Sequence, residues 1–318
     1  MGLPMEVWLS PWLLGVLGLV IGSFLNVVIH RLPQIMTREW LADVAGYLQD
    51  RDAMTRVLGT NPKRMAELAQ QGETLAKDVA ALPAMSLSRP RSRCPQCGHV
   101  LAWHENIPLL GWLRLGGKCA ACRTRISVRY PLVEALTGAL FAAAAWQAGP
   151  TAAAAVYCAA LALLVAAASI DLDTTLLPDE LTFPLIGLGL LSSLMEITPV
   201  NFRDASLGAL FGYLSLWSVN FLFMLVRKVR GMAEGDFRLL AGLGALLGWQ
   251  QIPSIILFSS VVGSVVGISL MVSRKRGFDL QIPFGPYLAG GGVAALFFGA
   301  QLKAWYFGAA SSGLWPGL

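Results

Sequence analysis

Apolar residues in this chain come as long unbroken runs and not at alternating spacing, and the runs are separated by short polar connections and one long polar region. They cover approximately residues 9–29, 132–149, 151–170, 181–197, 205–226, 237–250, 253–272 and 284–309. At 1.5 Å rise per residue, Leu9 to Ile29 matches about one bilayer thickness of helix. The pattern therefore predicts an all-α polytopic membrane protein with about eight transmembrane helices. The first helix is expected to end at His30-Arg31-Leu32-Pro33. It has no basic segment before it and no small-residue cleavage site, Glu6 being the only charge ahead of it, so it reads as a retained anchor. The 237–250 run is short for a crossing and carries Arg238; a tilted helix, a partly re-entrant one, or one ending early in a thin region would each fit it. Gly242, Gly244 and Gly248 within it suit close helix packing.

Three regions follow from this pattern: a first transmembrane helix at 1–30, a polar region at 31–130, and a transmembrane core of about seven helices at 131–318. Within the polar region Met65, Leu68, Leu75, Val79 and Leu82 recur at helical spacing after Asn61-Pro62, which predicts a surface amphipathic helix over Lys63 to Leu82. A hydrophobic fraction of 55% with only 14% charged residues excludes an ordinary soluble domain, where about 25% would be charged. The net charge of +5 is unevenly placed. Residues 31–130 hold 15 Lys or Arg against 8 Asp or Glu, more than half of the chain's 24 basic residues. The positive-inside rule puts this large loop in the cytoplasm. Alternation from there places Asp171 to Asp179, Arg227-Lys228-Val229-Arg230 and Arg274-Lys275-Arg276 on the same side.

Carboxylates at the ends of apolar runs narrow the chemistry. Asp171, Asp173 and Asp179 follow one run, and Glu234 and Asp236 open another. An ionised acid within a bilayer costs on the order of 2.5–3.5 kcal/mol on insertion scales, so acids placed there are candidates for function. A single helix-end Asp would more simply meet headgroups and solvent. Asp171 and Asp236, on two helices and on one membrane face, instead suggest an aspartyl peptidase pair. Two carboxyls about 3 Å apart share one proton, so one acts as base toward water and the other as acid toward a carbonyl oxygen. Pro178-Asp179 also reads as a helix N-terminus, which assigns Asp179 mainly to capping. Asp173 and Glu234 stand as secondary candidates.

Five cysteines make an odd number, and four of them form Cys94-Pro95-Gln96-Cys97 and Cys119-Ala120-Ala121-Cys122, with 21 residues between the pairs. Two such pairs fit a zinc ribbon-like knuckle at 94–122, and four thiolates leave no ligand position open for substrate water, so the zinc is structural. A redox role would use one pair and leave the second unexplained. His99 and His104 lie near but are not needed as ligands. Cys158, amid alanines, reads as a small packing residue.

Longer stretches closely resemble the type IV prepilin peptidase family, the bifunctional leader peptidases and N-methyltransferases of type IV pilus and type II secretion systems. The resemblance runs through Gly22-Ser23-Phe24-Leu25-Asn26 to Leu32-Pro33, the four cysteines with Glu105-Asn106-Ile107-Pro108 and Gly116-Gly117-Lys118 between them, Ser127 to Glu134, Ile170-Asp171 to Pro178-Asp179, and Gly235-Asp236-Phe237. It implies a GxGD-type membrane aspartyl protease with Asp171 and Asp236 as the catalytic pair. It also implies S-adenosylmethionine as methyl donor, with Gly117 and Lys118 associated with its use. The implied partners are prepilins or pseudopilins carrying a short basic leader, together with membrane lipid and no nucleic acid; the implied location is the bacterial inner membrane. Ala233 stands where the Gly-x-Gly-Asp pattern has its first glycine, and residues 41–84 read as an insertion without a catalytic role. A competing class is a membrane assembly or transport protein with a structural zinc knuckle and proton-carrying aspartates. It would work without peptide hydrolysis, whereas the peptidase would be lost in Asp171→Asn.

Overall fold

The computed structural model describes residues 5–59, 61–229, 231–274 and 283–311. They divide into two compact units, one built from Met1–Asn26 with Trp103–Leu318 and the other from Val27–Ala102. The described residues contain helices and two isolated β-bridges but no strand. Four helices open the chain: α1 (Met5–Trp8), α2 (Pro11–Gln49), α3 (Arg51–Leu58) and α4 (Pro62–Ala81). Eight follow: α5 (Leu110–Arg114), α6 (Arg129–Ala148), α7 (Ala152–Thr174), α8 (Asp179–Leu194), α9 (Phe202–Arg227), α10 (Glu234–Leu247), α11 (Ile252–Arg274) and α12 (Gly285–Ser311).

Each of the eight apolar runs lies largely within a helix. By length and composition, four described segments suffice to cross a membrane, namely Pro11–Gln49, Ala152–Thr174, Phe202–Arg227 and Trp249–Leu270, against the eight crossings expected from the runs. The first helix does not stop at His30 to Pro33. α2 continues through Pro33, whose missing N–H removes one helical hydrogen bond without ending the ladder. Beyond Pro33 the helix gains a function of its own in the second unit. Arg31 donates to the carbonyls of Ser86, Leu87 and Pro90, and Arg38 donates to that of Pro83, so two basic residues of α2 hold the segment 83–90.

In that unit the amphipathic stripe on α4 has a partner. Asn61 caps α4 by accepting from the amides of Lys63 and Arg64, Pro62 opens it, and Met65 and Gly72 are buried. Gly72 faces the Ala45 carbonyl of α2, where a Cβ would lie 2.8 Å from the oxygen. The helix expected over Lys63 to Leu82 is thus present, packed on one side and exposed on the other.

The first unit is held by close backbone approach, which suits helices in lipid, where packing contacts and not water exclusion drive association. Gly18 and Gly22 of α2 lie against Gly138 and Glu134 of α6, where added Cβ atoms would come within 2.8 and 2.7 Å of main-chain atoms. Leu14, Phe141, Ala144, Ala145, Ala154, Cys158 and Leu161 form a core across α2, α6 and α7. Cys158 is buried there as the packing residue that its surroundings imply.

The central element is α10. It packs against α8, α9 and α12, and every residue from Gly235 to Leu247 is buried except Arg238. Its glycines make this possible: Gly244 meets Gly208 of α9, and Gly242 takes the Leu185 side chain of α8. Gly248 ends the helix with φ at +86°, a conformation that glycine adopts without strain.

Candidate active site

Asp171 sits one turn before the end of α7. That helix closes when the Thr175 amide donates to the Asp171 carbonyl, with Thr175 in the left-handed region at φ 55°. The Asp171 side chain is 4% exposed, and the Gly285 amide at the start of α12 donates to its Oδ2 at 2.9 Å. Asp236 lies in the first turn of α10 and is 6% exposed. The two carboxyls are close enough to interact electrostatically. Chain segments 65 residues apart thus bring together the two acids that the sequence singled out. Buried carboxyls within each other's field can hold one proton between them and so present an acid beside a base.

The loop before Asp236 is anchored from α9. Asn220 Oδ1 accepts from the amides of Gly231 and Met232, at 3.0 and 3.1 Å. Gly235 presses on the turn after Asp171, where a Cβ would lie 2.5 Å from Leu177 Cβ. Ala233, in place of the expected glycine, is the α10 cap residue with φ −79° and ψ 151°, extended backbone open to any L-residue, so the substitution introduces no strain.

The remaining acids have cationic partners. Asp173 takes both oxygens to Arg129 at 2.6 Å, and Arg129 also donates to the Ser169 carbonyl. Asp179 does not serve as the helix cap expected of it. The α8 cap is Pro178, without a side-chain cap bond, and the Asp179 carboxylate pairs with Arg238. Arg238 also bonds Glu234 at 3.2 Å and lies over the Phe183 ring, 5.5 Å from its centroid. The charge that made the 237–250 run look unsuited to a membrane is therefore compensated by two carboxylates and a ring face.

The thiols of Cys94, Cys97, Cys119 and Cys122 all lie within 4.8 Å of one another. Their two loops repeat one hydrogen-bond pattern. Cys94 donates to the His99 carbonyl as Cys119 does to Thr124, and Gly98 donates back to Cys94 as Arg123 does to Cys119. The bridges Arg93–Val100 and Lys118–Arg125 occupy equivalent positions, and Gly98 and Arg123 both have positive φ. A tetrahedral zinc with bonds of about 2.3 Å sets its sulfurs about 3.8 Å apart. The four thiols fit such an ion.

Gly117 and Lys118 stand at the edge of the second loop. Gly117 has φ +68° and is buried beneath the Trp112 ring, where a Cβ would lie 2.7 Å from a ring carbon. Lys118 is exposed. Two positions that sequence reasoning passed over also reach the site, Asn220 and Gly285. A lone amide within an apolar run was a visible signal for the first, and a glycine between two prolines, Pro283-Phe284-Gly285-Pro286, for the second.

These features define an all-helical membrane protein with a pair of buried carboxyls and a four-cysteine centre. Two family models match it. The bacterial peptidase A24 N-terminal domain covers residues 16–148, and the type IV leader peptidase family covers residues 158–268. A protein of Aeromonas hydrophila named prepilin leader peptidase/N-methyltransferase is 44% identical over 305 residues, covering 96% of this chain and 95% of its own. Proteins of the same name from Burkholderia pseudomallei strain 1026b, 44% identical over 285 residues, and Pseudomonas aeruginosa, 43% identical over 290, cover 89% and 91% of this chain and 84% and 91% of their own lengths. The chain belongs to the type IV leader peptidase family. No solved structure matches it significantly.

Proposed function

We propose that this protein removes the short basic leader of type IV prepilins and pseudopilins, using Asp171 and Asp236, and then N-methylates the new terminal residue. The observation that carries the cleavage reading is the burial of these two carboxyls within each other's electrostatic reach. The names of relatives more than 40% identical along nearly their whole length support both activities. In the cleavage step one carboxylate takes a proton from water as its oxygen bonds to the scissile carbonyl carbon, and the protonated partner gives its proton to the carbonyl oxygen. The tetrahedral diol then collapses, the C–N bond breaks, and the departing amine takes up a proton.

The reaction belongs on the cytoplasmic face of the inner membrane, where the basic region 31–130 would lie. Cys94, Cys97, Cys119 and Cys122 would hold one structural zinc, which supplies a cross-link between the two loops. S-adenosylmethionine, when bound, supplies an electrophilic methyl group for the new amine. Gly117 and Lys118 are the positions proposed to serve that second step, apart from the carboxyl pair. Methyl transfer needs a neutral amine held near the donor and has no evident use for two acids sharing a proton.

The test is incubation of the purified full chain with a prepilin, followed by mass measurement of the product. The wild type should yield a shortened and methylated chain, while Asp171→Asn and Asp236→Asn should each leave the prepilin intact. Substantial turnover by either variant would remove that residue from the pair. A protein active in the cell but inert toward prepilin would favour the transport class.

A further inference from the structure

Among the described residues, the Asp171 carboxyl has a single hydrogen-bond partner, and it comes from neither its own helix nor Asp236. It is the backbone N–H of Gly285, the first residue of α12, in a buried setting. The first amides of a helix have no carbonyl within the helix to receive them, so such a donor is available to a group outside it. The next residue, Pro286, has no N–H to offer. Gly285 is thus the donor at this helix start that reaches the carboxyl.

Space at this point is as restrictive as hydrogen bonding. A Cβ on residue 285 would stand 2.7 Å from Asp171 Oδ2 and 3.1 Å from Leu177 Cδ1. The same leucine limits residue 235, beside Asp236. Two glycines, one at the start of α10 and one at the start of α12, therefore close on Leu177 in the turn that follows Asp171. Neither is required by its backbone conformation, since neither has positive φ. What both supply is the absence of a side chain.

We propose that Gly285 is a positioning residue for the carboxyl pair: its N–H fixes Oδ2 of Asp171, its missing side chain leaves room for that bond, and Oδ1 is left to work on water. This rests on Asp171 belonging to the pair. The alternative is that Gly285 merely relieves crowding between α12 and its neighbours.

The experiment measures prepilin cleavage by the full chain in detergent for wild type, Gly285→Ala, Gly290→Ala and Asp171→Asn, with kcat and KM separated and unfolding midpoints recorded. A Cβ at residue 290, on the same helix, meets nothing within 4 Å, so Gly290→Ala should behave as wild type. Gly285→Ala should lower kcat by about 100-fold, the usual scale for displacing a reacting group by about 1 Å, with KM within about twofold. Unchanged kcat in Gly285→Ala beside an inactive Asp171→Asn would overturn the inference while leaving the pair assignment intact. So would a raised KM at full kcat, which is the signature of crowding on the substrate path. Activity in Asp171→Asn would remove the pair assignment and the inference with it. If Gly285→Ala fails to fold, replacing residue 285 with glycolic acid deletes the N–H without adding a side chain. Full kcat in that ester variant would equally overturn the proposal.

Discussion

The sharpest test of the fold lies away from the acids, at Gly208. A Cβ there would stand 2.0 Å from the Gly244 carbonyl oxygen and 2.5 Å from its carbon, and a Cβ on Gly244 would stand 2.2 Å from the Gly208 oxygen. Both obstacles are main chain, so no rotamer change relieves them. Ordinary contact begins near 3.4 Å, and Gly208→Ala must therefore part α9 from α10 locally by about 1.4 Å to recover normal van der Waals spacing. Overpacking of this kind costs about 1–3 kcal/mol, and the rigid obstacle argues for the upper end. Because α10 carries Asp236, the displacement should also lower kcat, by up to about 100-fold if it is transmitted whole. The matched control is Gly187→Ala on α8, where a Cβ meets nothing within 4 Å and alanine's helix propensity should be neutral or stabilising by up to about 1 kcal/mol. Unfolding midpoints in one detergent, read beside prepilin cleavage at saturating substrate, separate the two effects. An unchanged midpoint and an unchanged kcat in Gly208→Ala would refute the claim that the helices meet backbone to backbone in the working protein.

Three further outcomes are expected. Asp173→Asn should keep cleavage and change stability by no more than about 1 kcal/mol, because its partner Arg129 and its own carboxylate are both 40% exposed; a loss of activity beyond tenfold would move Asp173 into the reacting pair. Cys119→Ser should take the purified chain from one bound zinc to none and open residues 94–125 to protease, since binding free energy in small metal sites is largely folding free energy. Zinc-free wild-type protein with full activity would count against the metal. Lys118→Ala should leave zinc content and cleavage intact and yield an unmethylated product; full methylation would dismiss Lys118.

Several parts of this site were legible because their cost is local. An acid at the end of an apolar run is conspicuous wherever the helix goes, so Asp171 and Asp236 stood out, and paired cysteine spacing needs no tertiary information. What stayed hidden depends on partners distant in sequence. Asp179 carried a local capping signal, yet its carboxylate goes to Arg238, 59 residues away. Gly285 lies 114 residues from the carboxyl it serves, and its local pattern announced only a helix start. Proline at residue 33 suggested a helix end, and the long-range bonds of Arg31 and Arg38 accompany its continuation. The repeat between the two cysteine loops was hidden for another reason: it is written in backbone hydrogen bonds and positive φ, with Gly98 in one loop and Arg123 in the other.

The residues proposed for methylation show why exposure matters in choosing a probe. Gly117 cannot be enlarged without disturbing something other than a donor site, because its positive φ disfavours any side chain and its Cβ would press on Trp112. The Trp112 indole N–H in turn donates to the Ile126 carbonyl, and the Ile126 amide donates to the Gly117 carbonyl, so the strain would pass directly into the loop bearing Cys119 and Cys122. A bulky residue at 117 could therefore abolish methylation by loosening the knuckle even if no methyl donor ever touched it. Lys118 is free of that ambiguity. Its side chain is exposed, its place in the loop is set by a backbone bridge to Arg125, and truncating it removes a charge from the surface while leaving that bridge in place. Only a loss of methylation at residue 118 with zinc retained speaks for donor chemistry at this edge of the knuckle, and the same loss at residue 117 speaks first for the knuckle itself.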